Sequence, residues 1–136
     1  MRAVVAYLGT LVVFLAVDLV WLGVIARDFY RNALGDLMQV DLGVAFAFYA
    51  LYVVGIVIFA VWPADERGSL RHAAIFGGLF GLFCYATYDL TNLATLKDWP
   101  WIIAVVDIPW GVFLTSVSAM GGYLALRVTM GVRQPA

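Results

Sequence analysis

Four apolar runs, each long enough to cross a bilayer, constrain this chain more than any other feature. They cover about residues 3–26, 42–64, 73–96 and 100–126, and their only charged side chains are Asp18, Asp89 and Asp107. A hydrocarbon core about 30 Å thick takes about 20 apolar residues of helix to cross. No water inside a bilayer satisfies backbone N–H and C=O groups, so each run must close its hydrogen bonds within itself, as a helix. Residues 1–136 read as a single transmembrane domain: an all-α, polytopic, antiparallel four-helix transmembrane bundle. Composition agrees, with 65% hydrophobic and 12% charged residues, against about a quarter charged in soluble domains. A net charge of −1 supplies no basic field for nucleic acid. Cys84, the single cysteine, has no partner for an internal disulfide and reads as a small apolar filler. Arg2, the first run and Val24-Ile25-Ala26 have the outline of a cleavable signal peptide. Asp18 and Trp21 interrupt its apolar part, so we read it as a retained helix.

Four spans place both termini and the loop between the second and third runs on one side. That side holds Arg2, Arg67, Arg71, Arg127 and Arg133, against Arg27, Arg31 and Lys97 opposite. Positive residues favour the cytoplasm, so both termini are expected inside. Trp21, Trp99, Trp101 and Trp110 then lie toward the outside, with Trp99 and Trp101 suited to the interfacial aromatic belt. The segment 27–41 is longer than a hairpin needs. Phe29, Tyr30, Leu34, Leu37 and Met38 give it one apolar face, suited to a short interfacial helix between the first two spans or to a lid. The inner loop from Pro63 to Gly68 reads as a polar turn with a breaker at each end.

The three intramembrane acids carry the functional argument. An aspartate at the middle of a span costs about 2.5–3.5 kcal/mol on insertion scales, so each needs specific company. Counted from the outer ends of their runs at about 1.5 Å per residue, all three lie roughly 9–14 Å below the outer boundary. One depth on three helices implies a polar layer or a pocket in the outer leaflet. In the third run Tyr85, Asp89 and Asn92 share a face by i, i+3 and i+4 spacing, and Tyr88, Asn92 and Thr95 form the adjoining strip. Phe14, Asp18 and Trp21 share a face of the first run, while Asp107, Trp110 and Gly111 cluster in the fourth. Pro109 lacks a donor and frees the Val105 carbonyl as an extra acceptor. No Lys, Arg or His lies inside a span; the nearest cations are Arg27, Arg31 and Lys97 at the rim. The competing reading makes the acids hydrogen-bonding glue between helices, at about 0.6 kcal/mol per contact.

Other signals carry less. Asp18-Leu19-Val20-Trp21 and Asp107-Ile108-Pro109-Trp110 share an Asp-x-x-Trp pattern that chance readily produces. Gly77-x-x-x-Gly81 and Ser118-x-x-x-Gly122 allow close helix approach, within the bundle or in a dimer. His72 stands at the cytoplasmic start of the third run, remote from the acids. An all-aspartate pocket is no transition-metal site and suits a hard cation or no metal at all; no metal is assigned. No phosphate loop, nucleophile elbow or zinc motif occurs. The sequence names no cofactor.

Asp18-x-x-Trp21-Leu22-Gly23-Val24 with Phe29-Tyr30-Arg31, then Tyr85-x-x-Tyr88-Asp89-Leu90-Thr91-Asn92-Leu93-Ala94-Thr95 with Trp99-Pro100, then Asp107-x-x-Trp110-Gly111, resemble one family of short bacterial membrane proteins. It is catalogued as domain of unknown function 2177. The resemblance spans essentially the whole chain, and Tyr88-Asp89-Leu90-Thr91-Asn92 is its most specific part. It implies a four-helix inner-membrane protein and brings no activity, substrate or cofactor.

Three functions compete. In the first, a pocket opening to the outer leaflet binds or transforms a lipid-like or small polar-headed ligand. Asp18, Asp89 and Asp107 bind it or move protons, Tyr85, Tyr88 and Asn92 orient it, and Trp21 and Trp110 form apolar walls. The second is a proton- or cation-coupled carrier acting as a homo-oligomer. The third is an accessory subunit of a larger membrane assembly. Whether the chain is an enzyme stays open.

Overall fold

The computed structural model describes residues 1–132. It is 89% helical, with no strand among the described residues. Arg133, counted above among the inner cations, lies outside them. Four helices are long and apolar enough to span a membrane: α1 (Arg2–Ile25), α3 (Leu42–Arg67), α4 (Leu70–Thr95) and α5 (Trp101–Met130). A short helix, α2 (Arg27–Leu34), links α1 to α3. The expected all-α polytopic bundle is therefore the observed fold. The termini meet at one end, where the Arg2 guanidinium approaches the Gly131 carbonyl at 3.4 Å; the other end, with α2, is distal.

The last turn of α1, Trp21–Ile25, widens to π geometry, and the Ala26 amide closes it by donating to the Trp21 carbonyl at 2.7 Å. The chain turns there into α2. Distally, the Asp41 carboxylate caps α3 by accepting from the Val44 amide at 3.0 Å. Nearer the termini α3 corrects the sequence reading of its loop. Pro63 does not end the helix, which continues through Trp62–Arg67. The turn before it, Val57–Val61, is π-wound, and the Trp62 amide donates to the Val57 carbonyl. That wider turn accommodates a ring that lacks a donor and crowds the preceding turn. The true turn is Gly68-Ser69. Gly68 adopts left-handed backbone (φ 62°), and the Ser69 hydroxyl caps α4 by accepting from the His72 amide at 3.1 Å.

In the bundle α5 is central, with α1 and α4 along its two sides. Small residues let these helices touch at backbone distance. A Cβ at Gly81 would stand 2.3 Å from the Gly111 carbonyl oxygen, and one at Gly77 2.9 Å from that of Thr115. Against α1, Gly121 receives Val13 and Gly122 receives Thr10. Both small-x-x-x-small patterns thus pack within the bundle. In lipid such dispersion contact replaces the hydrophobic drive between helices.

The fourth wall, α3, is not closed along its length. Its stretch from Val57 to Arg67 packs against α4, and Val57–Val61 also reaches α1 and α5. Along the distal stretch Leu42–Ile56 the backbone leans on α1 and stands apart from that of α4, with Tyr52 reaching the Phe80 ring at 5.4 Å and the Tyr85 ring at 6.3 Å. Gly55 marks the crossing, where a Cβ would stand 2.7 Å from the Phe80 ring. Around that crossing the core is fully buried at Phe14, Val53, Ile56, Val61 and Leu114, and it includes the buried hydroxyls of Thr10, Thr115 and Ser118. At the proximal end Arg2 and Asp65 form a forked ion pair, with Nη2 at 2.7 Å from Oδ1 and Nε at 3.2 Å from Oδ2. Arg127 donates to the Asp65 carbonyl at 3.2 Å and lies 4.9 Å over the Tyr123 ring. One acid thus ties three helices together.

Candidate functional site

Asp18, Asp89 and Asp107 stand six or seven residues before or after the distal ends of α1, α4 and α5, so about 10 Å below them at helical rise. Buried Thr10, Phe14 and Asp18 run up one face of α1 at four-residue spacing. Gly81, Tyr85 and Asp89 do so on α4, with Gly81 and Asp89 buried. Both faces point at α5.

The two Asp-x-x-Trp segments, discounted above, form the frame of the site. Because α1 and α5 are antiparallel, residue 18 lies opposite 110 and residue 21 opposite 107. The Trp21 and Trp110 indoles stack with centroids 4.2 Å apart and planes 9° from parallel. Each tryptophan serves the acid of the other helix. The Trp110 Nε1–H donates to Asp18 Oδ1 at 3.3 Å. The Trp21 Nε1–H donates at 3.2 Å to the Tyr30 hydroxyl, which donates to Asp107 Oδ1 at 2.6 Å. The sequence pattern showed the matched spacing; only an antiparallel register makes it a reciprocal pair.

Tyr30 comes from α2, which lies across the distal end of the bundle. Its side chain is buried with Ala26 and Ile103, and Phe29, Ala33, Leu34 and Trp99 pack around them. Burial, and then the hydrogen bond to Asp107, push the Tyr30 phenol above its ordinary value, so it remains a donor. Of the apolar face expected on 27–41, Tyr30 and Leu34 turn inward, whereas Leu37 is exposed. The second acid, Asp18, takes a second donor from α3: the Tyr49 hydroxyl reaches Oδ2 at 2.7 Å. Tyr52, one turn further, bonds Thr115 at 2.7 Å. Tyr49 and Tyr52 escaped the sequence reading because the second run holds no charge; aromatic donors at three-residue spacing were the available signal.

Asp89 is the exception. It is fully buried, yet neither carboxyl oxygen makes a hydrogen bond of ordinary geometry. Its immediate polar neighbour is the Asp107 carboxyl. No ion pair reaches any of the three acids among the described residues, and Arg27, Arg31 and Lys97 are all exposed.

Two cavities adjoin this cluster. One, of about 390 Å³, lies in the gap between α3 and α4 and is lined by Phe48, Tyr52, Cys84, Tyr85, Tyr88 and Asp107, with apolar surface predominating. The other, of about 330 Å³, lies beneath α2, with Asp18, Asp107, Trp21, Trp110, Tyr30 and Tyr49 in its wall. Leu22, Leu34, Met38, Tyr88, Trp99 and Ile103 complete it. Asp107 and Tyr88 belong to both. Trp99, expected in the interfacial belt, instead packs edge-on against Tyr88 at 6.1 Å, while Trp101 is 65% exposed.

Several sequence candidates stand elsewhere. Asp89 and Asn92 line neither cavity; Asp89 sits behind Asp107, and Asn92 is half-buried beside Tyr88. The α4 hydroxyls do not converge on the acids. Thr87 donates to Phe83, Thr91 to Thr87 and Thr95 to Thr91, all on the exposed face. A threonine facing hydrocarbon satisfies itself on its own helix, which removes it from any site. Val105 and Pro109 also face outward, and no side chain of the cluster donates to the Val105 carbonyl. Among the described residues no three His, Cys, Asp or Glu side chains are grouped to hold a metal ion.

Comparison with known proteins adds one finding. Residues 3–124 match the family described as predicted membrane protein (DUF2177). The chain belongs to this family. The resemblance carried by the Asp-x-x-Trp and Tyr-Asp-Leu-Thr-Asn segments was therefore sound, and the DUF2177 match covers every residue of the acid cluster. Neither the curated proteins nor the solved structures gave a match.

Proposed function

We propose that this DUF2177 protein binds a lipid-like ligand with a polar head, in a pocket at the outer leaflet of a bacterial inner membrane, with both termini cytoplasmic. The observation that carries the reading is the pair of cavities meeting at Asp107 and Tyr88. One is apolar and lies where α3 leaves α4; the other is walled by acids, phenols and indoles. An amphiphile has the same division. Each volume falls within the range of about 300–1,000 Å³ common for small-molecule sites. The tail lies against Phe48, Tyr52, Tyr85 and Tyr88, and the head sits beneath α2 between Asp18 and Asp107. Asp89 and Asn92 support this wall from behind. No covalent step is assigned to the acids.

The alternative of a proton- or cation-coupled carrier has less support, since Phe14, Val53, Ile56 and Leu114 fill the bundle around the Gly55 crossing and are fully buried. The glue reading accounts for Asp18, which has two donors, and gives Asp89 no partner beyond the neighbouring Asp107 carboxyl.

Photolabelling tests the proposal. Proteoliposomes carrying a phospholipid with a diazirine in its acyl chain are irradiated and the adducts mapped. Adducts should be enriched several-fold at Phe48, Tyr52, Cys84, Tyr85 and Tyr88 over the exposed Leu51, Phe83 and Val128. Equal labelling of both sets overturns the reading.

A further inference from the structure

We infer that the head recognised in this pocket is a protonated amine, so that the ligand class is an ammonium-headed amphiphile; the inference rests on the lipid-like reading above and names its chemistry.

Three independent observations lead there. The first is the acid pair at the back of the chamber. Asp107 lines both cavities with one oxygen committed to Tyr30, and Asp89, fully buried behind it, has the Asp107 carboxyl as its polar neighbour. Two facing carboxyls without a cation lack N–H donors and positive charge. An ammonium group brings three donors and one charge. The cavity wall supplies no positive charge, since no Lys, Arg or His is part of it, and its N–H donors are the indoles of Trp21, Trp99 and Trp110.

The second is the wall itself. Around the acids it presents indoles and phenols: Trp21, Trp99, Trp110, Tyr30, Tyr49 and Tyr88. The faces of such rings are negative and attract a cation seated against them, more strongly where water is excluded. Anionic heads meet the opposite field. A phosphate or carboxylate here would face Asp18 and Asp107 with no basic partner, as Arg27, Arg31 and Lys97 are exposed at the rim.

The third is adjacency. Asp107 and Tyr88 are shared with the apolar cavity between α3 and α4. A chain attached to the ammonium nitrogen therefore has an apolar cavity next to the acid chamber. A free amine or an inorganic cation would leave that second cavity without a role.

The test uses the full chain in nanodiscs of phosphatidylcholine, titrated with dodecylamine, dodecanol or sodium dodecanoate while tryptophan emission is followed. Equal chain length isolates the head. Dodecylamine should give a saturable change, with apparent affinity at least tenfold above the other two. Asp107→Asn, checked for native circular dichroism, should remove that tenfold preference. If the three compounds saturate alike, the ammonium assignment is overturned while the lipid-like pocket stands. If none saturates although photolabelling is enriched at the cleft, the ammonium assignment again falls alone. Failure of the photolabelling itself removes the pocket. The comparison of heads on the unsubstituted protein keeps the test decisive even if Asp107→Asn does not fold.

Discussion

Two buried aspartates on the helices that flank α5 have opposite circumstances, and a third at the far end shows what a fully partnered acid does. Asp18 accepts from an indole and a phenol supplied by two other helices. Asp89 accepts from nothing. Asp65 takes a forked guanidinium and is 2% exposed in its side chain, with Arg2 at 28%. Removing one member of such a pair strands the other, typically at about 3–5 kcal/mol when the pair is buried. Arg2 keeps some access to water, so the lower end of that range applies. Asp65→Ala should lower stability by about 3 kcal/mol in reversible unfolding from mixed micelles, whereas Arg71→Ala, at an exposed position, should stay within about 0.5 kcal/mol. Equal losses for the two would show that Asp65 does not hold the proximal end together.

At the scale of elements, α2 is the instructive piece. It is eight residues long and too short to persist as an isolated helix in water. What holds it is docking: Tyr30 on Asp107, and Phe29, Ala33 and Leu34 against Trp21 and Trp99. Tyr30→Phe keeps the ring and deletes the donor, which costs about 1–3 kcal/mol where an acceptor is left buried. Amide exchange across Arg27–Leu34 should then quicken by about tenfold while that of α5 is unchanged; unaltered exchange in α2 would separate its docking from the Tyr30 bond. This level also shows what the sequence could reveal. The helices were legible because apolar run length leaves a membrane chain no other choice. The acids were legible because charge is so costly there. Tyr30, Tyr49 and the stacking of Trp21 on Trp110 were not, since phenols and indoles are equally at home in a belt, a core or a wall. Pro63 misled for a different reason: a π turn upstream absorbed its missing donor, and no local rule predicts that. The threonines of α4 misled because spacing places a hydroxyl on a face without saying that the face meets hydrocarbon.

The whole molecule is asymmetric along its long axis: closed and clamped by the Arg2–Asp65 ion pair at the proximal end, divided and polar at the distal end. Orientation decides which leaflet the divided end serves. A single cysteine introduced at Arg31, on a Cys84→Ala background, should react with a membrane-impermeant maleimide in intact spheroplasts, and one at Arg67 only after lysis. The reverse pattern would move the pocket to the cytoplasmic leaflet without changing its geometry.

The divergence of α3 from α4 above Gly55 has a kinetic meaning. An opening cut into the flank of a bundle exchanges guests with the surrounding two-dimensional fluid, not with the aqueous phases. A molecule already dissolved among acyl chains gains little from burying its tail once more, so discrimination falls to the few atoms of its head. Occupancy would then follow the mole fraction of that species within one monolayer, and diluting the vesicles in buffer would leave it unchanged.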